Sequence, residues 1–133
     1  MMQSFRSERA SALAELTLIL PVFLLLLLGT VDLGLGVRTY LTLTDAAYEG
    51  ARWLASHPGD PTGAQTRIVA TAGQVGVAAG ALAIAITPAK SSYQAGDLVT
   101  VTVNHNYPLL FGALTSLPTL PLQAQATMRV LYG

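Results

Sequence analysis

Residues 15–32 read ELTLILPVFLLLLLGTVD, a run of 16 uncharged, mostly apolar residues closed by Glu15 on one side and Asp32 on the other. The apolar character continues through Leu33, Leu35 and Val37. Read as one helix, Ala12–Val37 is about 39 Å long at 1.5 Å per residue. That is enough to cross a hydrocarbon core of about 30 Å with some tilt. A secretory signal has a shorter apolar core and ends in a small-x-small cut site; this run ends in Gly29-Thr30-Val31-Asp32, a poor match. The segment therefore reads as an anchor in membrane lipid. Arg6 and Arg9 stand just before it, and basic flanks stay on the cytoplasmic side. The expected layout is a cytoplasmic leader over residues 1–10, a single membrane-spanning helix over 11–37 and an extracytoplasmic head over 38–133.

Glu15 needs a reason. An acidic residue at mid-bilayer costs about 2.5–3.5 kcal/mol, and less near the surface. Either it reaches for the headgroups, as on a plain anchor, or it finds a partner. Pro21 cannot donate to the carbonyl of Thr17 and is expected to bend or loosen the helix there. Gly29, Gly34 and Gly36 are either tolerated, as glycines are in membrane helices, or permit close approach of helices from neighbouring copies.

The chain has 133 residues, room for one span and one small domain. Charged residues make up 11% and the formal net charge is zero, so no basic stripe exists for nucleic acid. No cysteine is present, which removes disulfides, thiolate metal sites and Cys nucleophiles together. His57 and His105 have no second ligand at metal spacing, and no G-x-S-x-G, H-E-x-x-H or P-loop pattern occurs. The expectation is a non-enzymatic protein without metal or cofactor.

Past the span the helical pattern continues over Arg38–His57. Tyr40, Leu43, Ala47, Ala51 and Leu54 recur at three- and four-residue steps and form one apolar stripe. Glu49 and Arg52 lie off the stripe at i,i+3 and can pair on the surface. Gly50 costs up to about 1 kcal/mol against Ala in mid-helix, which points to a close neighbour. Pro58-Gly59-Asp60-Pro61 is a stop, and a second, Ala-rich helix is expected over 62–81. Period-two alternation then marks three strands: Leu82, Ile84 and Ile86; Val99, Val101 and Val103; and 122–132, with Leu122, Ala124, Ala126, Met128 and Val130 on one side. The expected fold is α+β, a small three-stranded antiparallel sheet covered by the amphipathic helix. The loop from Tyr107 to Pro121 carries six large apolar residues and no charge. It reads as a short helical turn that caps the sheet, or as a contact surface for another subunit or for lipid headgroups.

The first 53 residues resemble the TadE-like family, pseudopilins or minor pilins of tight-adherence type IV pili. The resemblance rests on Ala14, Glu15, Leu16, Pro21, the Leu24–Leu28 run, Gly29 and Asp32, joined to the block TDAAYEGAR at 44–52. It continues loosely through AGDLVTVTV at 95–103 and Thr127-Met128-Arg129. The resemblance implies a pilin-like fold, and cleavage by a prepilin peptidase between Ala10 and Ser11, which leaves Glu15 at the fifth position of the mature chain. Ala10 stands where the family usually has glycine. It further implies other pilin subunits and a pilus assembly platform as partners, and roles in adhesion or secretion. Cleavage would free an amine on Ser11, four residues from Glu15 and on the same helix face. Pairing of the two charges, within or between chains, would set the axial register of neighbouring subunits, with Pro21, Gly29 and Asp32 in the same assembly segment and Glu49, Gly50 and Arg52 in helix packing.

Overall fold

The computed structural model describes residues 2–114 and 116–131, with side chains from residue 11 onward. The fold is α+β: helix α1 (Met2–Ser56), helix α2 (Pro61–Gly73), and strands β1 (Leu82–Thr87), β2 (Leu98–Pro108) and β3 (Thr119–Arg129). The strands form one antiparallel sheet in the order β1-β2-β3. Such a meander needs only short connections.

The upper part of α1 packs on one face of the sheet, against β2 and β3, and on its flank against α2. Leu43, Ala47, Ala51 and Leu54 are fully buried, as the stripe predicts, whereas Tyr40 is 44% exposed. The buried positions run Asp32, Gly36, Thr39, Leu43, Ala46, Gly50 and Leu54, steps of three and four that keep one helix face on the head. From the sheet come Val99, Val101, Val103 and Ala124, and from α2 Ala64, Ile68 and Ala72. The opposite face of the sheet is small and polar, with Thr100 and Thr127 hydroxyls 2.8 Å apart across strands.

Three expected boundaries are corrected. The second helix ends at Gly73, well short of residue 81, because the chain turns at Gly76 with φ +78° and resumes only as a short 3-10 turn, Ala79–Ala81. An Ala-rich sequence gives no periodic contrast by which to see that end. Strand β2 extends to Pro108 and β3 begins at Thr119, so the expected loop over 107–121 is shorter. The hairpin pairs out to Pro108 and Thr119, with Pro121 opposite Asn106, a position open to proline on an edge strand. At its far end β3 stops at Arg129 rather than 132; Val130 is buried beyond it, and Tyr132 lies outside the described residues.

Candidate assembly segment and its junction with the head

Over residues 11–27 every side chain of α1 is exposed. The segment is long and apolar enough to cross a membrane. The threonines of the apolar run are satisfied locally: Thr17 Oγ1 donates to the Leu13 carbonyl at 2.7 Å and Thr30 Oγ1 to that of Leu26 at 2.8 Å. Such i−4 bonds let Thr sit in an apolar helix. The helix runs unbroken through Pro21. Glu15 is exposed and forms no ion pair among the described residues. Ser11 is described, whereas the side chains of Ala10, Arg6 and Arg9 lie outside the described residues. Gly29 and Gly34 have open space where a Cβ would stand.

Asp32 is different. It is 4% exposed, although it ends an apolar run. Its Oδ1 accepts from the Leu110 backbone N–H at 2.9 Å and its Oδ2 from the Phe111 N–H at 2.7 Å. Those amides open the 3-10 turn Phe111–Ala113 at the β2–β3 hairpin tip. Bonds to an ionised acceptor are the strong ones, and they offset the burial of the charge. The tip closes tightly: Leu109 N–H donates to the Pro118 carbonyl at 3.1 Å, and a Cβ on Gly112 would stand 2.8 Å from Pro118 Cα. Tyr107 approaches Gly36 one helical turn above Asp32. Burial, and then the Asp32 carboxylate, push its phenol pKa above the ordinary value. Between tip and helix lies an apolar groove of about 490 Å³, lined among others by Leu25, Leu33, Leu109, Phe111 and Leu120. The short turn expected in this loop is therefore present, and it is tied to α1.

Higher on α1, Gly50 is buried where α2 crosses. A Cβ there would stand 2.6 Å from Ile68 Cδ1 and 2.7 Å from its Cγ1. That is the close neighbour the mid-helix glycine implies. Glu49 and Arg52 face outward with a 4.0 Å contact, on side chains 43% and 69% exposed, worth a few tenths of a kcal/mol. Beside them is an arrangement the sequence reading missed. Trp53 stacks on His57 with centroids 3.7 Å apart, carries the Arg67 guanidinium 3.9 Å over its ring, and donates from Nε1 to Asp60 at 3.1 Å. Asp60 also accepts from the Gly63 N–H at 2.8 Å and caps α2, with Pro61 at the first helical position. The Asp-Pro pair inside the expected stop was the available signal. His105 sits on β2 with Nδ1 2.9 Å from the Ala81 carbonyl; a carbonyl only accepts, so Nδ1 carries the proton. This contact ties β2 to the end of the α2–β1 connection.

At the junction the hairpin tip is tied to the helix by one carboxylate. No curated protein and no solved structure matches the chain. Residues 10–52 match the family model described as TadE-like protein, a stretch that begins at Ala10, takes in Glu15, Pro21, Gly29, Asp32 and Gly50, and ends at Arg52. In that N-terminal segment, about a third of its length, the chain is similar to the TadE-like proteins.

Proposed function

We propose that this chain is a non-enzymatic prepilin-like subunit, a pseudopilin or minor pilin, of a tight-adherence pilus. A prepilin peptidase cuts between Ala10 and Ser11, with the N-terminus cytoplasmic and the head outside. The assembly platform then draws the processed subunit among other pilin subunits. The amine freed on Ser11 is protonated near neutral pH. In low dielectric an unpaired carboxylate is penalised and a paired one much less so. The pairing of that amine with a Glu15 side chain therefore favours one axial offset between neighbours. The observation that carries this reading is the family match, which starts at residue 10 and runs through both charged ends of the apolar segment. The exposure of α1 over residues 11–27 supports it, because the head leaves that whole surface open to neighbouring helices.

Mass spectrometry of the mature N-terminus, from cells with and without the peptidase, tests the proposal. A start at Ser11 that depends on the peptidase is expected. The same uncut N-terminus in both strains would overturn it and leave a single-span, signal-anchored extracytoplasmic binding domain that does not polymerise.

A further inference from the structure

We propose that the β2–β3 hairpin tip is a second membrane contact, seated in the outer-leaflet interface beside the helix that anchors the chain. The inference rests on the anchor reading and adds a surface to it.

The height of the tip is fixed by Asp32. From Ser11 to Asp32 the helix rises about 31 Å, close to the hydrocarbon thickness of about 30 Å. A span that starts at Ser11 therefore brings Asp32 to the far boundary of the hydrocarbon. The two amides bonded to Asp32 belong to Leu110 and Phe111, so the tip lies at that same boundary. The hairpin points toward the membrane: Tyr107 lies beside Gly36, and the tip reaches a turn lower. The groove between tip and helix descends to Leu25.

The chemistry of the tip matches that depth. No Asp, Glu, Lys or Arg occurs from Leu98 to Met128. Leu110, Leu114 and Leu117 are 56%, 66% and 67% exposed, while Leu43 and Leu54 in the same head are fully buried. Tyr40, Tyr107 and Arg38 lie just above the tip along the helix axis. Tyr rings and a basic end group at one level are the usual mark of a headgroup belt, with apolar side chains on the inner side of it. Seating the tip there removes leucine surface from water at about 25 cal/mol per Å². It also fills the apolar groove with acyl chain. With no basic cluster at the tip, the binding is to the apolar interface and not to an anionic headgroup.

The absence of cysteine makes the test direct. The full chain is reconstituted into phosphatidylcholine vesicles as Leu114→Cys, and separately as Leu110→Cys, each labelled with an environment-sensitive fluorophore. Ser92→Cys, in the exposed loop at the opposite end of the sheet, marks water, and Leu20→Cys marks the span. The expected result is iodide quenching at least about threefold weaker at the tip than at position 92, with strong quenching by lipids spin-labelled near the headgroup. A tip label as accessible to iodide as position 92, with position 20 protected, overturns the membrane seat and leaves the anchor standing. Water access at position 20 overturns both. A tip label shielded from iodide yet silent to spin-labelled lipid means that a second copy covers it, which also overturns the proposal.

Discussion

Residues 11–31 and 32–56 of α1 belong to one unbroken helix, yet the first stretch leaves almost all its side chains open and the second buries one full face. The difference lies in what each half needs from its surroundings. The lower half is apolar all round, which is stable only against something other than water. The upper half is a stripe, and its own head covers that stripe. The changeover comes around Asp32, the first buried position among the described residues of the helix. The head therefore reaches down along the helix, and the two halves share a turn or more.

The sharpest way to break this contrast is to treat the two halves alike. A leucine at Gly50 has nowhere to go, because even a Cβ would stand 2.6 Å from Ile68. Gly50→Leu should destabilise the head by about 3 kcal/mol, a fall in Tm of some 12 °C or more for a domain of this size. Gly29→Leu adds the same bulk where a Cβ meets open space and should leave the melting unchanged. Thermal unfolding of the detergent-solubilised chain, followed through Trp53 as the single tryptophan, compares them. Equal melting curves would remove the distinction between covered and uncovered halves.

The next effect is at the junction. Asp32→Ala removes the acceptor for two backbone amides. It should cost about 2 kcal/mol, in the range for bonds to a charged group. The loss should be local: amide exchange at Leu110 and Phe111 quickens, while Val101 and Val103, in the core of the sheet, stay protected. Uniform loss of protection would show that the junction supports the whole head and not only the tip.

Asp97 makes a smaller, pH-dependent counterpart at the opposite end of the sheet. Its carboxylate accepts from the Gln94 N–H at 3.1 Å and the Lys90 ammonium at 3.0 Å. The Gln94 bond first, then Lys90, hold its pKa below the ordinary 3.8. A depressed folded pKa stabilises above the unfolded value, and that support is lost as pH falls from about 4 through the folded value. The 88–97 loop should loosen in that window, seen in the Gln94 amide resonance, and Asp97→Asn should abolish the pH dependence. The effect is small because the pair lies at the surface.

The same contrast explains what the sequence could and could not reveal. Strand alternation was plain because Val, Ile and Thr switch faces at every residue. The upper helix stripe was plain from Leu43 to Leu54 because its apolar residues recur at three- and four-residue steps. Its continuation was hidden: Asp32, Gly36 and Thr39 keep the period, but a carboxylate, a hydrogen and a hydroxyl carry no hydrophobic signal. Tyr40 drew the stripe to the wrong side because a large ring looks like core. The clasp of Trp53, His57, Arg67 and Asp60 joins two helices across a turn; the Asp60-Pro61 pair signals the cap of the second helix, but no local pattern announces the Trp53 stack. Gly50, by contrast, was legible as a helix residue whose cost demanded a neighbour.

Glu15 is where the comparison predicts no change in one measurement and a clear one in another. It is exposed and without an ion pair among the described residues, so Glu15→Ala should leave the melting of the head and membrane insertion as they are. The family match includes it, and in the proposed assembly its carboxylate meets the Ser11 amine of a neighbour. Removal of the carboxylate leaves that amine unpaired in low dielectric, a penalty of a few kcal/mol, so incorporation should fall by about tenfold or more. Quantifying the subunit in sheared pili against the membrane fraction reads this directly. Normal incorporation with Ala at position 15 would mean that the register is set by helix shape alone, through Pro21 and the small residues.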